Sequence, residues 1–218
     1  MQNVQRKKDD LKVICSLKDN FNVHYKTDFI CEYKANKYFD IFEKNLVYNT
    51  PEQSKVTVFG KEHYIARKQV AYGDLGTHYT FAGNTVYAND WNCKNAICTI
   101  LKNIKHKVEI FTGKKFNFVL MNRYKDGNDK IMAHRDSEKE LGIDPTIVGV
   151  SFGSVRDVCF APYKFIPEIL QKRITIELGH GSVFVMHPPT NDHWTHEIPI
   201  RANVKTPRIS LTFRYLHL

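Results

Sequence analysis

Phe116-Asn117-Phe118-Val119-Leu120-Met121-Asn122 marks the point where the chain changes character. From here on, short apolar runs follow one another: Ile147 to Phe152, Val155 to Phe160, Ile174 to Leu178, Val183 to Met186 and Ile209 to Phe213, with Gly, Pro and Asp between them. Short runs rich in β-branched and aromatic residues, punctuated by turn formers, are the pattern of a sandwich or jelly roll. Residues 116–218 are therefore expected to form a β core, and the fold class is α+β, mainly β.

Upstream of residue 116 the spacing is different. Phe39, Phe42 and Leu46 mark a helix over residues 36–47. Ile97, Ile100, Leu101, Ile104 and Val108 mark another over 94–111, closed by Gly113. Val56 to Phe59, then Gly60-Lys61, then Glu62 to Ile65 reads as a hairpin with glycine at the first turn position. Residues 31–115 are thus expected to supply helices and a lid continuous with the core. Residues 1–30 read as a polar leader with little periodic signal.

The chain has 218 residues, 42% hydrophobic and 25% charged, which suits one globular domain with an N-terminal lobe. Its formal charge of +9 favours an anionic partner, nucleic acid first. No apolar run approaches a membrane span, and the opening residues are too polar for a secretory signal. Five cysteines without a regular spacing suggest reduced thiols. A nuclear or cytoplasmic monomer is expected.

The chemistry concentrates near the C-terminal end. His134 and Asp136 are two apart, so an extended segment turns both to one side. With His196 they make two histidines and a carboxylate, a set that holds ferrous iron on one face and leaves the other open. His193 competes with His196 on spacing alone. Pro207-Arg208-Ile209-Ser210-Leu211-Thr212-Phe213-Arg214 alternates strictly, with Arg208, Ser210, Thr212 and Arg214 on one face. The arginines lie roughly 20 Å apart along the strand, and their long side chains leaning inward suit a small dicarboxylate. An edge strand with a solvated basic face has the same pattern. Asn122 and Tyr124, at the polar end of an apolar strand face, suit the mouth of a pocket.

These blocks, together with Val150-Ser151-Phe152-Gly153, His180-Gly181-Ser182, Thr190 to His196, Ala66 to Asp74 and Tyr79-Thr80-Phe81, resemble the AlkB-type dioxygenases, nearest the branch that repairs duplex DNA. The resemblance covers roughly residues 55–216. It implies a double-stranded β-helix (jelly roll) with N-terminal helices and a nucleotide-recognition hairpin, and oxidative removal of methyl groups from 1-methyladenine and 3-methylcytosine. Fe(II) would be the cofactor, with 2-oxoglutarate and O2 as co-substrates. Formaldehyde, succinate and CO2 would leave.

By the same resemblance, His134, Asp136 and His196 would bind iron and carry the catalysis. Asn122, Tyr124, Arg208, Thr212 and Arg214 would bind 2-oxoglutarate. Phe59, Gly60 and Lys61 would form the tip that probes the duplex while a base is flipped out, and Arg67 would reach phosphate. Tyr79, Thr80, Phe81, Ser137 and Glu138 would line the base pocket, and Arg201 would touch DNA. Between Pro199 and Pro207 only Arg201 and Lys205 are basic, so single-stranded DNA or RNA stays open as the substrate. A binding module that has lost its chemistry is the reading from another class.

Overall fold

The alternation along Arg208–Arg214 is that of a strand with water on neither side: Ile209, Leu211 and Phe213 are fully buried on one face, and Arg208 and Arg214 are buried on the other. The computed structural model describes residues 11–16, 19–58, 60–163 and 173–217. In it this strand, β15, sits in the middle of a nine-stranded sheet. The other eight are β1 (Leu11–Ser16), β2 (Phe21–Lys26), β5 (Lys68–Gly73), β6 (His78–Phe81), β7 (Asn84–Asp90), β8 (Phe118–Tyr124), β10 (Ile147–Gly153) and β13 (Val183–Met186). Their order is β1-β2-β13-β10-β15-β8-β5-β7-β6. Only β5 and β7 run parallel.

A second sheet of four strands faces it: β12 (Ile174–Leu178), β11 (Arg156–Pro162), β14 (Trp194–Ile198) and β9 (Ile131–His134), in that order. The expected jelly-roll core is therefore present. Odd and even positions divide the large sheet's work. Val119, Met121, Val148, Val150, Ile209 and Leu211 pack outward against α1 (Glu32–Asn45) and α2 (Ala96–Thr112). Phe21, Val23, Tyr25 and Phe184 pack inward on Phe160, Ile176 and Trp194 of the small sheet.

Three expectations are corrected. The leader is not featureless: Phe21, Val23 and Tyr25 alternate with polar residues, and β2 pairs with β13 inside the large sheet. That alternation is too short to stand out in a polar context. The hairpin of β3 (Lys55–Val58) and β4 (Lys61–Tyr64) pairs Val58 with Lys61, so Lys61 belongs to the strand and not to the turn. Gly60 therefore directly precedes β4 instead of opening the turn, at φ 73°, where a residue lacking Cβ is at ease. Finally, Cys93 and Cys98 form a disulfide with Cα atoms 6.0 Å apart. Asn95 caps α2 by accepting from the Cys98 amide at 2.8 Å, and that turn brings the two cysteines together.

The β3–β4 hairpin stands proud of the molecule. All four β4 residues are exposed, while the Thr57 amide donates to the Ala82 carbonyl in the turn between β6 and β7 at 2.8 Å. No described helix is long and apolar enough to cross a membrane.

Candidate metal centre and co-substrate pocket

His196 occupies the middle of β14, flanked by the inward-facing Trp194 and Ile198. Its partner across the ladder is His134 on β9. Two residues of β14, from His196 to Ile198, span three of β9, from His134 to Ile131. This bulge lets both Ile131 and His134 point inward, the common use of a bulge beside a site. Asp136 follows just past the end of β9. Its amide donates to Asn191 Oδ1 (3.0 Å) and its carbonyl accepts from Asn191 Nδ2 (2.6 Å). Asn191 lies in the short helix α3 (Thr190–His193), which thereby fixes the ligand loop from both sides.

The ligand atoms of His134, Asp136 and His196 lie within 4.8 Å of one another. His193, the rival, does not join this cluster. His134 Nδ1 lies 2.9 Å from the Met132 carbonyl, so Nδ1 carries a proton and Nε2 is the nitrogen that faces the centre. Asp136 Oδ1 is 3.3 Å from His134 Nε2 and 3.9 Å from His196 Nε2. Burial alone raises the Asp136 pKa, but Arg214 and the histidines outweigh it and hold the carboxyl well below its usual range. Burial, and then His134, push His196 down to about 3, so its ring is neutral and ready to ligate. A cluster of two half-buried imidazoles and one buried carboxylate fits Fe(II).

The co-substrate side is a row of polar residues across the inner face. Gln69, Asn122, Ser210 and Ser151 are register neighbours on β5, β8, β15 and β10. One step along, Arg208 pairs with Tyr124, and its guanidinium lies 5.1 Å from the Tyr124 ring. Arg208 is 2% exposed; Nη2 donates to Ser151 Oγ at 2.9 Å, while Nε and Nη1 have no partner among the described residues. Burial pushes the Arg208 pKa down and Arg156 adds to that; Tyr124 alone is set against them. A buried guanidinium with two open donors fits a carboxylate. Thr212 lies on the same face, and Arg214 ends the row at the metal ligands. The chain's own residues therefore fit both the ion and a dicarboxylate.

On the base side, Tyr79 is buried and its hydroxyl donates to Glu138 at 2.5 Å; its ring lies 5.6 Å from Phe81 and 4.8 Å from the Arg214 guanidinium. Burial raises the Glu138 pKa. Ser137 is exposed on the rim of a cleft of about 320 Å³ that also contacts Asp136 and Glu138. Thr80 faces away from Tyr79 and Phe81, with its hydroxyl 3.0 Å from that of Thr85. Arg67 turns inward: its Nε donates to Asn122 Oδ1 at 2.8 Å and its Nη1 to the Lys130 carbonyl. Arg201 Nε donates to Asp157 at 2.7 Å. Gly60 and Lys61 lie at the exposed hairpin tip, and Phe59 falls outside the described residues.

Sequence reasoning passed over Asn191, Ser151, Gln69 and Arg156. Gln69 had a signal, as the one amide in Lys68-Gln69-Val70-Ala71-Tyr72-Gly73. Arg156 is 1% exposed and donates to the carbonyls of Asp126, Asp129 and Pro199. No local pattern announces such a brace.

A family model described as the 2OG-Fe(II) oxygenase superfamily matches residues 23–214. The chain belongs to that superfamily, whose chemistry uses Fe(II), 2-oxoglutarate and O2. Within it, the chain is similar to the DNA oxidative demethylase ALKBH2 of Mus musculus, 44% identical over 83% of this chain and 74% of that one. It is 42% identical to the Bos taurus protein of the same name, over 83% of this chain and 64% of the relative's length. In fold it is similar to the structure of OsALKBH1, with a TM-score of 0.57, 14% identity, and coverage of 94% of this chain and 99% of that one.

Proposed function

We propose that this chain removes alkyl groups oxidatively from DNA bases, with 1-methyladenine and 3-methylcytosine as substrates and formaldehyde, succinate and CO2 as products. The observation that carries the reading is the meeting of two features between the two sheets. The His134–Asp136–His196 cluster lies on the small-sheet side, and β15 of the large sheet reaches it through Arg214 and carries the buried guanidinium of Arg208, with open donors, at its other end. The similarity to the ALKBH2 proteins supports DNA as the substrate, and so does the charge of +9.

When bound, iron and 2-oxoglutarate supply the oxidising power. The protein supplies placement. Asn122, Tyr124, Arg208, Thr212 and Arg214 hold the co-substrate by its two carboxylates. Tyr79 and Phe81 offer aromatic faces to a base that methylation has made cationic, and Glu138 offers a carboxylate beside them. A base in a duplex must be extruded to reach this depth. The exposed β3–β4 hairpin is the element suited to probe the stack, with Phe59 as its apolar wedge. Lys61 and Lys55 flank it.

Arg201 favours a second reading, on single-stranded DNA or RNA, because its guanidinium is already committed to Asp157. One experiment separates the readings. Incubate the protein with Fe(II), ascorbate, 2-oxoglutarate and a 1-methyladenine oligonucleotide, as duplex, single-stranded DNA and RNA. Formaldehyde release on the duplex, lost in Phe59→Ala but kept on single strands, supports the proposal. Turnover only on single strands supports the second reading. Folded, iron-loaded protein that releases no formaldehyde from any of them leaves only a binding module.

A further inference from the structure

We infer that Gln69 is a positioning residue for the co-substrate: it fixes the Asn122 amide so that its NH2 group faces the 2-oxoglutarate pocket. This rests on Asn122 being a co-substrate ligand, as proposed above. A guanidinium has donors and no acceptor, so the Asn122 atom 2.8 Å from Arg67 Nε is the amide oxygen. Gln69 Nε2 donates to that same oxygen, also at 2.8 Å. Its two lone-pair directions are then occupied. Asn122 Nδ2 makes no hydrogen bond to any described residue and has the pocket face, between Ser210 and Gln69 in the ladder, to itself.

Gln69 itself is in an unfavourable place. It is fully buried, and its Oε1 has no partner among the described residues. The residues that follow it on β5, Val70, Ala71 and Tyr72, are buried. A side chain present only to fill space would leave no acceptor unpaired there. Among the described residues, the one hydrogen bond that the Gln69 side chain makes is the donation to Asn122, so that donation is its role. Arg67 alone supplies a single bond from a partly exposed side chain. Without Gln69, only that one bond holds the Asn122 amide against turning to present its oxygen, which repels a carboxylate.

The test uses the full chain loaded anaerobically with Fe(II). 2-Oxoglutarate is titrated in, and the visible charge-transfer absorption of the iron–2-oxoglutarate chelate is followed. Gln69→Met keeps the volume and removes the donor, and Gln69→Leu removes it with a second, apolar shape. Both are expected to weaken 2-oxoglutarate binding about tenfold, the loss of one buried hydrogen bond to a charged ligand. KM for 2-oxoglutarate should rise in step. Fe(II) affinity, melting temperature and kcat at saturating co-substrate should stay within about twofold or a few degrees.

Binding within twofold of wild type in both variants overturns the inference. So does an equal fall in Fe(II) affinity and melting temperature, or failure of both variants to fold, since each marks a structural role. Wild-type protein that binds iron but gives no 2-oxoglutarate-dependent absorption would instead overturn the reading of the pocket itself.

Discussion

Arg214 directs both Nε and Nη2 onto one oxygen of Asp136, Oδ2, at 3.1 and 2.6 Å, and leaves Oδ1 to the two histidines. One carboxylate is thus divided between a charge partner and a ligand direction. Arg214 also ends the polar row on β15, so the cation that neutralises Asp136 belongs to the strand proposed to hold the dicarboxylate.

Replacing Arg214 by Met should therefore damage the metal centre before it touches the substrate. Asp136 would be left buried without its cation, a change that typically costs about 3–5 kcal/mol. Fe(II) or Mn(II) affinity should fall at least about tenfold, because Oδ1 is no longer aimed. Arg214→Lys keeps charge and loses the fork, and its losses should be smaller. Urea melts of the metal-free protein and calorimetric Mn(II) titration measure both effects. Unchanged metal affinity in Arg214→Met would show that Asp136 orients itself.

Asn191→Ala tests the backbone side of the same ligand. The two bonds that Asn191 makes to the Asp136 amide and carbonyl are buried, and their loss should cost about 1–3 kcal/mol. Metal affinity should fall with them, while 2-oxoglutarate binding per loaded metal should not. If stability falls without any change in metal affinity, α3 is only a structural tie.

What the sequence disclosed follows from the range of the interactions involved. Strict alternation from Arg208 to Arg214 announced a strand with an apolar and a polar face, and both faces are where alternation puts them. The spacing of Ile97, Ile100, Leu101 and Ile104 likewise gave α2, with Gly113 in the left-handed conformation at its end. The His134–Asp136 pair was visible because its two members are local. Choosing His196 over His193 was not a local matter, since it depends on which residue β14 turns inward. Asn191, Gln69 and Arg156 act across gaps of 55, 53 and 27 to 43 residues. No pattern within one element records such contacts, whereas the resemblance to a family carries them implicitly.

Gly127 should be intolerant of any side chain. A Cβ there would lie 1.6 Å from the Arg201 carbonyl oxygen, in a backbone pair where Arg201 donates to Gly127 and Gly127 to Val204. The segment is also tied down by Arg156 through the Asp126 and Asp129 carbonyls. Gly127→Ala must push residues 201–204 away, and a loss of several kcal/mol is expected, as in other overpacked sites. Gly60→Ala is the contrasting case: nothing lies within 4 Å, and only the positive φ is strained, costing about 1 kcal/mol. Thermal melts of the two variants should differ by many degrees, and equal melting points would contradict the close approach at Gly127.

The metal-free protein should lose stability as pH falls from about 6.5 towards 4, in part through His187. Burial, then the neighbouring His24 and Lys114, push its pKa down to about 4; the two histidine rings are 4.4 Å apart. In the unfolded chain the ring titrates near 6.5. Between these values the unfolded state binds the extra proton, so each downward step in pH favours unfolding; below about 4 both states are protonated and the effect is complete. The ring is partly wet, so its share is about 1–2 kcal/mol. Asp136 acts in the same direction but only at lower pH, because its folded pKa is depressed below an unfolded value near 4. His187→Gln removes the first effect and keeps the second. Urea melts at pH 7.0 and 4.5 should therefore show a smaller acid loss for His187→Gln than for wild type, and equal losses would mean that the His187 ring is as free to charge in the fold as in water.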